Sequence, residues 1–189
     1  MVAPSSGIRR LMTNNFTDTL RKEEQAYENG ADRPLGSYLR VLGVYGGAVA
    51  GLLALGKLTG TRAPERIAPM DLLLMGLTTH RMSRTITKDP VTSPLRAPFT
   101  RYAGVSGPAE LREEVRGHGI RHAVGELLTC PFCIAQWVAT AYAAGMVFAP
   151  RFTRLAGATM TAVAMSDWLQ LAYTRLMKTA EAPREVKEG

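Results

Sequence analysis

Apolar residues in this chain gather into four runs, and the stretches between them carry nearly all of the charge. The first run, 39–58, has Arg40 and Lys57 at its two ends and no charge between them. At 1.5 Å per residue, about 20 residues of helix reach across a hydrocarbon core of about 30 Å. Gly43, Gly46, Gly47, Gly51 and Gly56 are spread through this run. They would weaken a helix in water. The spacings Gly43-x-x-x-Gly47 and Gly47-x-x-x-Gly51 instead allow close helix contact in a bilayer. The second run, 70–82, is short and holds Asp71. It spans if Asp71 lies near one interface and His80, Arg81 and Arg84 near the other. The third, 127–149, has no charge, and Pro131 suits the first turn of a helix over 131–148. Pro150-Arg151 stops it. The fourth, 155–173, carries Asp167 beside Trp168 in its second half.

The polar stretches predict little regular packing. Residues 1–15 read as disordered, 16–28 as a short polar helix closed by Asn29-Gly30, and 59–69 as a loop. Within the connection 84–126, Asp89-Pro90 and Ser93-Pro94 are turn signals. A charged helix is expected over 108–116, a break at Gly117-His118-Gly119, and a second short helix over 120–128. The tail from Arg175 is charged and expected to fray. The fold class is therefore all-α: a helical integral membrane protein of four short transmembrane helices with a polar cytoplasmic connection. Its parts are a polar arm over 1–38, a first span over 39–58, a core over 68–173 and a charged tail over 174–189.

Charge sets the threading. The chain has a net charge of +7. No arginine-rich helix with interleaved aromatics is present, which argues against nucleic acid as a partner. The stretch 1–38 has no apolar core of the kind that a signal peptide needs. With the N-terminus inside, six Lys/Arg fall in the first 40 residues, eight in the connection and four in the tail, against five in the two outer loops. The positive-inside rule then places both termini on the cytoplasmic side of the cell membrane. This threading brings His80, Arg81, Arg84, Glu126 and Asp167 to one depth at the inner ends of the spans, and leaves Asp71 near the outer face. A charge in the apolar zone faces the bundle interior and finds a partner. Asp167 is expected to pair with Arg81 or Arg84, and Glu126 to serve as a partner for Arg84 or a base for Cys130.

Both cysteines lie in Cys130-Pro131-Phe132-Cys133. At a helix start, Cys130 could be a low-pKa nucleophile with Cys133 as the resolving thiol. No βαβ pattern surrounds the pair, as a thioredoxin-like site requires. His118-x-x-x-His122 together with the two thiols would suffice for a tetrahedral zinc site. The simplest alternative to both is two small, buried, reduced residues at a tight helix entry. No cofactor is otherwise called for, and no phosphate loop or serine elbow appears.

The stretch Gly125-Glu126-Leu127-Leu128-Thr129-Cys130-Pro131-Phe132-Cys133, with Trp137 four residues beyond, resembles the signature of a bacterial membrane-protein family known as domain of unknown function 1360. Thr79-His80-Arg81-Met82-Ser83-Arg84 and the later Asp89-Pro90-x-x-x-Pro94-Leu95-Arg96 are similar to another segment of that family. The resemblance covers about 68–173 and implies a small membrane protein without implying a reaction. The expected function is a structural or interaction module of a membrane assembly, with the bilayer and a protein partner or a second copy as its contacts. The alternatives are a membrane thiol oxidoreductase and a soluble or peripheral helical bundle.

Overall fold

The computed structural model describes residues 34–185 together with 18–19, 21–23 and 26–27. The expectations for 1–15 lie outside the described residues; within 16–28 the described residues 18–19, 21–23 and 26–27 are helical. The architecture is mostly helical.

Helix α1 is Leu35–Leu58. Pro34 sets its start, and its carbonyl accepts from the Ser37 and Tyr38 amides. The end is closed by Thr59, whose hydroxyl donates to the Leu55 carbonyl at 2.8 Å. Helix α2 is Pro69–Lys88, with Pro69 in the first turn. It runs six residues beyond the apolar stretch 70–82, and stops where Pro90 holds Asp89 extended. A 3-10 turn, Pro90–Thr92, and the short helix α3, Ser93–Arg96, lead into a hairpin. Helix α4 is Ile120–Thr129 and α5 is Pro131–Phe148, both close to the sequence expectation. Helix α6, Pro150–Glu185, follows after one residue and absorbs both the fourth apolar run and most of the tail expected to fray.

The hairpin corrects the all-α expectation. Strand β1 is Thr100–Gly107 and β2 is Glu110–Val115, paired antiparallel with Thr100 opposite Val115 and Gly107 opposite Glu110. The charged helix expected over 108–116 is thus a strand. Glu and Arg favour helix locally, but Leu111, Glu113 and Val115 alternate on the half-buried side, a period of two. Glu113 and Glu110 also find buried or half-buried arginines on other elements. Tertiary contacts override the local preference.

Polar groups hold the interior together. Among the described residues eight buried side chains are polar or charged, including Asp71, Thr78, Ser83, Thr87 and Arg96, against four apolar ones: Ala123, Ile134, Tyr142 and Ala164. Meanwhile Leu42, Val44, Leu53, Leu72, Phe132, Phe152 and Leu169 lie on the surface. Helix α2 is packed between α5 and α6 by its small polar side. Ser83 and Thr87 turn their hydroxyls back to the Thr79 and Ser83 carbonyls, so the buried face has few open donors. Between α5 and α6, close approach needs glycine in two places. A Cβ at Gly157 would overlap the Tyr142 hydroxyl, and one at Gly145 would meet Thr153 Oγ1 at 2.6 Å.

Candidate polar cleft at the α2–α6–hairpin junction

The last two turns of α2, the hairpin turn and the middle of α6 enclose a cleft of about 640 Å³. Each wall follows from local sequence. On α2, residues 80, 81 and 84 occupy one side by the three- and four-residue repeat of a helix. On α6, Asp167 and Trp168 face them. The hairpin brings Glu110 across from β2.

The charges are paired across elements. Arg81 Nε lies 3.1 Å from Asp167 and Arg81 Nη2 lies 3.9 Å from Asp89. The first distance suits an ion pair, yet the Nε–H is buried and misaligned for a hydrogen bond. Arg84 forms a bidentate pair with Glu110, Nε to Oε1 at 2.7 Å and Nη2 to Oε2 at 2.6 Å. The His80 ring packs against Trp168 with centroids 5.9 Å apart. Of the five residues expected at one depth, His80, Arg81, Arg84 and Asp167 do line one cleft. The expected pairing of Asp167 with Arg81 is present.

Glu126 does not join them. It accepts a hydrogen bond from the Tyr38 hydroxyl at 2.5 Å and lies 3.4 Å from His122 Nε2, one helical turn back on α4. It therefore ties α4 to α1, and Arg84 takes Glu110 instead. The reason is geometric: the cleft partner comes from the hairpin, whose existence the sequence pattern did not reveal.

Behind the cleft sits Arg96, fully buried. All five of its donors are used. Nε and Nη2 reach the Glu113 carboxylate, Nη1 the Ile86 carbonyl and Thr92 Oγ1, and Nη2 also the Asp89 carbonyl at 3.0 Å. A buried guanidinium is tolerable on these terms, because its charge is paired and each N–H is satisfied. The Asp89-Pro90-x-x-x-Pro94-Leu95-Arg96 stretch is thus the frame that fixes the end of α2 to the hairpin. Asp89 caps the 3-10 turn by accepting from the Val91 amide at 2.9 Å. At the other end of α2, Asp71 holds Arg154 of α6 in a bidentate pair with both bonds at 2.8 Å. Sequence reading missed this pair, although it placed both residues near the outer side.

The cysteine stretch has a structural job. Cys130 is the N-cap of α5, its Sγ accepting from the Cys133 amide at 3.3 Å, with Pro131 next in the first turn. Both thiols are free, Cys130 half-buried and Cys133 exposed, so the expectation that both are buried fails for Cys133. Nor do they meet the histidines as the zinc expectation requires. Among the described residues no three His, Cys, Asp or Glu side chains, His118 and His122 included, stand where they could share a metal. Gln136, three residues on, donates to the Tyr45 hydroxyl at 2.7 Å, and Tyr45 meets Trp137 edge-on at 5.1 Å. The stretch docks α1.

The molecule defined by these features is a small helical bundle, polar inside and apolar outside, with two helices long and apolar enough to cross a membrane, α1 and α5. Residues 74–173 match the model of the family described as "Protein of unknown function (DUF1360)", and the chain belongs to that family. It is also similar to "Sporulation protein YjcA" of Bacillus subtilis (strain 168), 30% identical over 73 residues. That match takes in 37% of this chain and 62% of the relative, so less than two thirds of the relative's length is covered. No solved structure matches the chain.

Proposed function

We propose that this chain is an integral membrane protein of four short spans, α1, α2, α5 and the stretch 155–173 of α6, with both termini in the cytoplasm. Its work is that of an interaction module in a membrane assembly. One observation carries the reading: none of the most apolar window of α1, and 11% of that of α5, is covered by protein. The core helix of a soluble protein of this size would be mostly covered, and four buried apolar residues make no adequate core in water. Lipid supplies the missing cover. Inside the bundle, polar side chains then find partners among themselves, as a bilayer demands.

The threading is supported by the ion pairs. Asp71–Arg154 and Arg81–Asp167 join α2 and α6 at two levels, with both helices running the same way, as the second and fourth of four spans must. The outer loops then hold Arg62 and Arg66, and the connection with its hairpin lies inside. The interaction role is supported by α1, where Gly43, Gly47 and Gly51 have no neighbouring atom within 4 Å of a built Cβ. A small-residue face of this kind admits a second helix, from a partner or another copy.

Alkaline carbonate extraction of membranes tests the placement. The protein should stay with the lipid pellet and enter solution only with detergent. Release by carbonate alone would favour the soluble bundle.

A further inference from the structure

The polar cleft is acidic on balance within a basic chain: Asp89, Glu110 and Asp167 line it against Arg81 and Arg84. Arg81 stands between two carboxylates, at 3.1 and 3.9 Å, one more than its charge requires. Asp167 is 44% exposed in its side chain, and Trp168 beside it is 48% exposed. A carboxylate with an indole next to it suits a ligand ammonium, through a charge-assisted hydrogen bond and a cation–π contact. Arg84 offers the opposite pole. Glu110 takes its Nε and one Nη2 donor, and a guanidinium has five N–H donors. The side chain is 41% exposed, so a phosphate can reach it.

A second feature adjoins the cleft. An exposed apolar face of α6, with Met165, Leu169 and Tyr173, runs beside it. Gln170 and Thr174 border both the cleft and this face. The volume of the cleft is in the range of small-molecule sites. The pair has the layout of an amphiphile, a charged head with a chain leading away.

We propose that the cleft binds a zwitterion bearing a primary ammonium and a phosphate, the headgroup of an aminophospholipid such as phosphatidylethanolamine, or the same group free as phosphoethanolamine. The ammonium goes to Asp167 and Trp168, the phosphate to Arg84, and the acyl chains of a lipid lie along the apolar face of α6. The lipid source rests on the membrane reading above, whereas the headgroup chemistry does not.

The chain has two tryptophans, so Trp137→Phe leaves Trp168 as the sole reporter inside the cleft. Its emission is followed in one detergent with short-chain phosphatidylethanolamine, phosphatidylglycerol and phosphatidylcholine, and in the same detergent with phosphoethanolamine and inorganic phosphate. The expected result is a saturable change with the ethanolamine headgroup, about tenfold tighter than with the glycerol or choline lipid. Tighter binding of the lipid than of free phosphoethanolamine identifies the membrane as the source. Equal binding identifies the soluble zwitterion and stands even if carbonate releases the protein. Asp167→Asn should lose the preference for ethanolamine over choline. Gln170→Lys, at an exposed position that leaves the ion pairs intact, should block binding with an ammonium of its own. A response that does not distinguish headgroups, or that survives Gln170→Lys unchanged, overturns the proposal.

Discussion

Arg96 is the residue on which the hairpin depends. Its charge is buried, and Glu113 is its counter-ion. Removing one partner strands the other in a low-dielectric interior, which typically costs about 3–5 kcal/mol. Glu113→Ala is therefore expected to lower the unfolding midpoint in detergent sharply, or to prevent folding. Asp89→Ala, which keeps the carbonyl that Arg96 uses and loses the cap on Val91 and the looser ion pair with Arg81, should cost about 1 kcal/mol. Ala109 offers the reverse case. It turns the hairpin at φ 56°, a left-handed conformation that disfavours a side chain, directly after Pro108. Ala109→Gly should be neutral or should stabilise by about 1 kcal/mol, as read from thermal unfolding. Glycine pulls the other way by loosening the unfolded chain, so a loss of more than that would mean the strain is not real.

Helices α2 and α6 are held by two unlike clamps. Asp71–Arg154 is bidentate with good geometry, whereas Arg81–Asp167 is misaligned and more exposed on the acidic side. Double-mutant cycles with neutral replacements should give a larger coupling for the first pair than for the second. For Arg81–Asp167 the coupling should stay below about 1 kcal/mol, as for exposed pairs generally. Between α5 and α6 the contact is steric. Gly157→Ala places a methyl group against the Tyr142 ring and should cost about 1–3 kcal/mol by overpacking. Tyr142→Phe in the same background should recover part of that loss, which thermal unfolding of the double variant would detect.

For the molecule as a whole, the membrane reading fixes which groups water can reach. Cys130 and Cys133 are the chain's two cysteines, so both become Ser before a reporter thiol is placed. In intact cells, a thiol at position 62 in the loop after α1 should react with a membrane-impermeant maleimide, and one at position 105 in the hairpin should not. The opposite pattern would invert the topology. The outer surface sets a further expectation. Gly47→Leu fills the small-residue face of α1, so it should weaken association of the protein in detergent without lowering its unfolding temperature, because nothing in the bundle touches that face.

The sequence by itself determined the elements whose causes are local. Pro131 and the uncharged stretch after it bounded α5 to the residue, and α4 begins at Ile120 as expected and ends at Thr129, one residue beyond the expected 120–128. The depth argument from charge gave Asp167 either Arg81 or Arg84 as its partner, because a charge in an apolar zone must find one, and the structure pairs it with Arg81. Tertiary structure alone decided the rest. Glu-Leu-Arg-Glu-Glu-Val reads as helix until Arg84 and Arg96 are in place to receive its carboxylates from a strand. Glu126 stood at the right place in the chain for the cleft and was claimed by Tyr38 on α1. Arg154 looked like a loop charge until α6 began at Pro150 and carried it onto Asp71. In each case the partner is tens of residues away, and no periodicity along one segment records which of several distant opposite charges the fold will bring near.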